Sequence, residues 1–147
     1  MGSMKWHDGT HFEGNWARDR RNGEGKLTDA EGNCYEGNWL NDKREGFGTM
    51  TWKDESQYRG QWHDDYRCGW GRMDETNGVS YMGEWVLSKP EGFGKMQWPE
   101  GHRYKGHWRH GMRHGFGKQT FNDGSYYKGD WKKDRENGIA TIKSKDG

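Results

Sequence analysis

Three imidazoles, His107, His110 and His114, stand close together in the chain, and such a cluster invites a zinc reading. A zinc site needs four converging ligands, one of which is water in a catalytic centre. Strand geometry opposes convergence here, because His107 points away from the side of Trp108 while His110 falls in a loop. No metal is therefore assigned within one chain, and a site shared between two chains is the less unfavourable form. Cys34 and Cys68 fall at opposite edges of the ribbon derived below, on the order of 20 Å apart, whereas a disulfide needs Cα atoms within about 7 Å. Both are expected as free thiols, which suits a reducing cytoplasm. The segment "GHRYKGHWRHGMRHGFGKQT" carries Arg103, Lys105, Arg109, Arg113 and Lys118, with no acid between Glu100 and Asp123. Its chemistry would be weak capture of anionic lipid headgroups or an acidic partner, worth about 1 kcal/mol per cation at a charged surface. The plainer alternative is a solvated loop and outer strand face. No nucleophile with its base, no paired carboxylates and no phosphate loop recurs, and the Gly-x-Gly of "GFG" opens no helix. The chain is read as non-enzymatic and without a cofactor.

Spacing along the chain sets the unit of architecture. Tyr or Phe stands at 12, 35, 58, 81, 104 and 127, every 23 residues without insertion or deletion. Trp follows four positions later each time, at 16, 39, 62, 85, 108 and 131. Glycines recur between them (14, 37, 60, 83, 106, 129) and again at 23, 46, 69, 92, 115 and 138. Fixed self-similarity of this length marks a repeat array, in which stacked neighbours build one continuous core. Residues 4–11 read as a half repeat ahead of six full ones. Met1-Gly2-Ser3 reads as a remnant of expression cloning, and the expectation is an excised piece of a longer protein.

Each unit predicts a β-hairpin. In "YEGNW" Tyr35, Gly37 and Trp39 alternate with Glu36 and Asn38, the period of a strand with unlike faces. "GFGTMTW" supplies the returning strand, joined through a polar loop from Leu40 to Glu45. Gly-containing dipeptides such as Asp8-Gly9 and Asp123-Gly124 provide tight turns between units. Pro90 is placed in a hairpin loop and Pro99 in an inter-unit turn, since a strand interior excludes proline. The expected register sets Trp39 opposite Gly46, Gly37 opposite Gly48, Tyr35 opposite Met50 and Trp52 opposite Tyr58. Gly48 then lies between Gly37 and Trp62, and aromatic rings lie over bare backbone on neighbouring strands. The result is an all-β, elongated, single-layer antiparallel meander of about thirteen strands, twisted and grooved, about 60 Å long.

Composition agrees once the rings are counted. A mean hydropathy of -1.49 and 28% hydrophobic residues would usually predict disorder. Ten Trp, seven Tyr and five Phe instead supply about 150–250 Å² of burial each. Lysine and arginine (24) balance aspartate and glutamate (23), which argues against nucleic-acid binding by bulk charge. The longest apolar run, Trp85-Val86-Leu87, is far short of a membrane span or a signal peptide.

The stretches "YEGNWLNDKREGFGTMTW" and "YKGHWRHGMRHGFGKQTFNDGS" resemble MORN repeats (membrane occupation and recognition nexus), with Tyr-x-Gly-x-Trp, a polar loop and then His-Gly-x-Gly. The resemblance runs from Phe12 to Gly147. It implies an elongated grooved sheet that serves as a scaffold or adaptor for proteins, often at membranes or cytoskeletal structures. Asp29, Glu75 and Ser144 depart from the late aromatic of the unit, Glu55 from the turn glycine and Ala140 from the second loop glycine. Choline-binding repeats are similar only in composition and lack this order of residues. On this reading Tyr35, Trp39, Trp52, Tyr58, Trp62, Tyr81, Trp85, Trp98, Tyr104 and Trp108 form a groove for a partner's helix or extended segment. The alternative to that groove is that the rings merely pack on one another. Open end strands would also allow end-to-end pairing into a homodimer.

Overall fold

A computed structural model describes residues 1–144, apart from the side chain of Ile139. The last three positions of the sixth unit, 145–147, lie outside the described residues. Among the described residues every regular element is a strand: β1 (Gly2–Lys5), β2 (His11–Ala17), β3 (Arg20–Thr28), β4 (Cys34–Leu40), β5 (Lys43–Thr51), β6 (Gln57–His63), β7 (Tyr66–Asp74), β8 (Ser80–Val86), β9 (Lys89–Gln97), β10 (Arg103–Arg109), β11 (Met112–Thr120), β12 (Tyr126–Lys132) and β13 (Arg135–Lys143). They form one sheet in sequence order, each neighbouring pair antiparallel. Gly2 and Ser3, read from sequence as a cloning remnant, pair with Gly14 and Glu13 as part of β1.

The hairpin ends are tighter than the sequence reading expects. Asn41 and Asp42 alone turn the chain, with φ of 49° and 70°, where six loop residues were expected. Two positive φ values in succession give the primed turn whose twist matches the flanking strands, and Asn and Asp tolerate it. Lys43 to Glu45 therefore belong to β5. Pro90 is likewise the second residue of β9 rather than part of a loop, whereas Pro99 does occupy an inter-unit turn.

Register differs from expectation for a related reason. Tyr35 does face Met50, and Gly37 faces Gly48. A bulge between Gly37 and Trp39 then sets Trp39 opposite Arg44 instead of Gly46, and the glycine that faces Trp39 is Gly23 of the preceding unit. Across the next turn Tyr58 faces Met50, not Trp52, so Gly48 lies between Gly37 and Gly60. Trp52 opens the inter-unit turn, donating its main-chain N–H to the Ser56 carbonyl. The glycines thus form a row directly across the sheet.

That row seats the rings. A methyl group on Gly48 would fall inside the Tyr35 ring, and one on Gly37 would strike the Gly48 backbone. Tyr58 sits on Gly71, Tyr81 on Gly94 and Tyr104 on Gly117 in the same way. A bulge leaves a ladder group unpaired, and the tyrosine hydroxyl supplies the missing partner: Tyr35 donates to the Asn38 carbonyl at 2.9 Å, as Tyr58, Tyr81, Tyr104 and Tyr127 do in their own units. Each Trp then reaches back one unit. Trp62 Nε1 donates to the Gly48 carbonyl at 3.1 Å, and Trp39, Trp85, Trp108 and Trp131 repeat the bond. Edge-to-face contacts at 5.1 Å within a unit (Tyr35 to Trp39) and 5.4 Å between units (Tyr35 to Trp62) join the rings into one chain.

Arginines close the outer side of that chain. Arg44 places its guanidinium 4.6 Å over the Trp62 ring, while its main-chain N–H and Nε both donate to Asp65 Oδ1. Arg21 with Asp42 and Arg113 with Asp134 build the same rung, and Arg67 uses Ser88. In the fourth unit Pro90 takes the arginine position and Gly111 the aspartate position, so both partners change together; the Gly111 N–H still donates to the Pro90 carbonyl.

Three predictions follow from this packing. Gly71→Ala, aimed into the Tyr58 ring, should cost about 2–3 kcal/mol, against about 1 kcal/mol for Gly124→Ala, where φ is 88° but space is open; equal losses in chemical denaturation would contradict the seating. Arg44→Ala should cost about 1–2 kcal/mol, and the exposed Arg109→Ala less than about 0.5 kcal/mol, by the same measurement. Burial alone would raise the Asp42 carboxyl, but the Arg21 main-chain N–H and guanidinium outweigh it and hold it below the usual range. A carboxyl depressed on folding adds stability above its unfolded pKa of about 4, and that stability is lost as pH falls. Asp42→Asn should flatten the acid side of the stability profile between neutral pH and about pH 3, and an unchanged profile would tell against the rung.

Candidate functional site

A single layer offers two faces, and alternation along each strand makes them unlike. The ring face carries the Tyr and Trp that open every unit. Eight of the ten residues assigned to the groove from sequence are brought together there: Tyr35, Trp39, Tyr58, Trp62, Tyr81, Trp85, Tyr104 and Trp108, none more than 5% exposed. They are occupied with each other and with the glycine rows. Burial raises the hydroxyl pKa of Tyr35, Tyr58, Tyr81 and Tyr104 well above the ordinary phenol value, so these groups remain neutral donors to the bulge carbonyls.

What this face offers to solvent lies beside the rings rather than on them. Trp52 and Trp98, the other two groove residues, are half-buried at the inter-unit turns, and Met50, Met73 and Met96 are half-buried between successive tyrosines. Arg21, Arg44, Leu27 and Met50 surround a 220 Å³ hollow whose floor is Tyr35 and Trp39. Glu75 interrupts the line of turn aromatics, as the sequence indicated. Asp29 does so too, but its carboxylate accepts the main-chain N–H groups of Glu31 and Asn33. Glu55 holds the turn conformation in place of glycine at φ 74°.

The basic segment divides between the faces. Arg113 is committed to the ring face, stacked 4.5 Å over Trp131 and bonded to Asp134 and to Gln119 Oε1. Arg103, Lys105 and Lys118 lie on the opposite face, exposed, and Arg109 ends β10 at the hairpin. The histidines also separate. His107 faces Phe93 ring edge to ring face at 5.9 Å, His110 sits in the turn beside Glu91, and His114 lies in β11. Cys34 and Cys68 are free thiols, that of Cys68 raised by burial.

Two features escaped sequence reasoning. The arginine rungs had a signal in the 23-residue recurrence of Arg at 21, 44, 67 and 113, matched by Asp at 42, 65 and 134. The opposite face had one in the residue inside each Gly-x-Gly: Phe47, Trp70 and Phe116 are more than half exposed there, and Phe93 is half-buried. This face also holds the larger hollows. One of 970 Å³ is lined in part by Glu13, Glu24, Lys26 and Glu36, and one of 380 Å³ by Arg72, Lys95, Arg103, Lys105 and Lys118.

Comparison with protein families places this geometry. A model described as MORN repeat matches residues 12–34, 35–57, 58–78, 81–103, 104–126 and 127–147. The matched starts coincide with the Tyr or Phe that begins each hairpin. No curated protein matches the chain. With six consecutive matches over nearly its whole length, each built on the same ring-and-glycine hairpin, the chain belongs to the MORN-repeat family.

Proposed function

We propose that this chain is a non-enzymatic protein-interaction scaffold whose ring face receives a helix or an extended segment of a partner protein. The observation that carries this reading is the incomplete cover of that face. Thirteen strands form a single layer, and among the described residues no second sheet or helix lies over the half-buried Trp52, Trp98, Met50, Met73 and Met96. Methionine adapts its shape to a partner and indole gives a large rigid contact, so the edge of the ring chain suits docking although the buried rings do not. The family resemblance supports a site of action in the cytoplasm, at cytoskeletal or membrane-associated structures.

The partner side is open to a direct test. A photo-crosslinking residue at position 52 or 98 should capture a discrete protein from a cell lysate, identified by mass spectrometry, and the same residue at position 47 of the other face should not capture it. Capture of that protein with equal yield from position 47, or from none of the three, would contradict the assignment. Trp52→Ala with Trp98→Ala should reduce affinity for the captured protein by about 2 kcal/mol or more while leaving the near-ultraviolet spectrum of the buried rings in place.

A further inference from the structure

The face opposite the rings carries a line of charge that the fold does not need. Register places Arg59 opposite Arg72, Arg72 opposite Met82, Met82 opposite Lys95, Lys95 opposite Lys105, Lys105 opposite Lys118 and Lys118 opposite Lys128. All seven side chains are exposed. From β9 to β12 the line is unbroken, four lysines on four adjacent strands. Among the described residues only Arg72 of this line has an acidic partner, Asp74 at 3.0 Å, and Lys118 lies 4.2 Å over the Tyr126 ring.

Like charges directly opposite each other weaken a sheet, and the same line in the N-terminal units avoids the problem. There Glu13 faces Lys26 and Lys26 faces Glu36, alternating in sign. The repeat therefore accepts alternation at these positions, and the lysine run is an exception that a binding role explains.

The geometry points to a docking track for an acidic amphipathic helix of a partner protein, lying across β9 to β12. Strands are about 4.8 Å apart, and one turn of an α-helix advances about 5.4 Å, so one acidic side chain per turn keeps step with one lysine per strand over four strands. An extended peptide presents same-side residues about 6.6 Å apart and loses register sooner. Two residues along each strand from the lysines of β9 and β11, about 6.6 Å to the side, lie Phe93 and Phe116 on alternate strands, about 9.6 Å apart. Seven helical residues advance about 10.5 Å, so an apolar stripe meets these rings while the acidic stripe meets the lysines, and a helix about 10–12 Å across covers both lines. Between the rings stand His107 and, beyond Phe116, Asp130, an alternation that suits a peptide better than a phosphate chain. The 380 Å³ hollow lined by Lys95, Lys105 and Lys118 lies on this track. The inference is independent of the ring-face reading, because it uses the other side of the sheet.

A labelled synthetic peptide of about fourteen residues, with one glutamate per turn and leucine on the adjoining stripe, tests it by fluorescence anisotropy. The expected result is affinity at least tenfold above that of a scrambled peptide of equal composition, lost at least tenfold in Lys105→Glu and in Lys118→Glu, and unchanged in Trp52→Ala with Trp98→Ala. Lys105→Glu places an acid between Lys95 and Lys118 and should also raise the melting temperature, by about 2 °C, which separates lost binding from lost folding. Equal affinity for the scrambled peptide overturns the helical partner. So does tighter binding of phosphatidylserine vesicles or of a single-stranded oligonucleotide than of the ordered peptide, which would assign the track to those anions instead.

Discussion

The sheet depends on an aromatic ring seated against a pair of facing glycines in each of its first five units. Strand glycines ordinarily weaken a sheet by about 0.5–1 kcal/mol each relative to alanine. Here a Cβ at Gly48, Gly71, Gly94 or Gly117 would collide with the hydroxyl end of a tyrosine ring. The vacancy lets the ring reach the backbone, and its hydroxyl can then satisfy the carbonyl that the bulge leaves free. Ring, glycine pair and bulge recur together as one device from the second unit to the fifth, and in the sixth Ala140 faces Gly129 while the Tyr127 hydroxyl keeps its bond to the Asp130 carbonyl.

Its repetition explains how a chain with so little aliphatic content folds. Each of Tyr35, Tyr58, Tyr81 and Tyr104 touches the Trp of its own unit and the Trp of the next, and those Trp side chains are bonded to a glycine carbonyl one unit back. Cohesion therefore passes only between neighbours, as in other one-dimensional arrays, and the arginine rungs reach from one hairpin to the next in the same way. One rung loses both side chains at once, Pro90 of the fourth unit with Gly111 of the fifth, whereas Arg67 keeps its place over Trp85 with Ser88 as acceptor.

Much of this was legible in the sequence. The 23-residue period gave the strand count and the all-β class, and the alternation of Tyr35, Gly37 and Trp39 gave the ring face. The Gly37 to Gly48 pairing was legible too, whereas the hairpin ends and the pairing of Trp39 and Trp52 were not. The primed turn depends on positive φ at Asn41 and Asp42, and "ND" announces such a turn less plainly than a dipeptide ending in glycine. The basic segment shows the same limit for sites. Linear reading grouped Arg113 with Lys105 and Lys118, but alternation put them on opposite faces, and it aligned Lys118 with Lys95 and Lys128 from other units.

The two faces divide the molecule's work. One holds the buried rings and the arginine rungs, and the other carries exposed rings and the lysine line from Lys95 to Lys128. Hydrogen exchange of the indole N–H groups followed by NMR measures the central device most directly. The account predicts that the N–H groups of Trp39, Trp62, Trp85, Trp108 and Trp131, each bonded to a glycine carbonyl, exchange far more slowly than those of Trp52, Trp70 and Trp98. Uniformly fast exchange across all of them would mean that the rings are not seated on the backbone, and the architecture described here would be wrong.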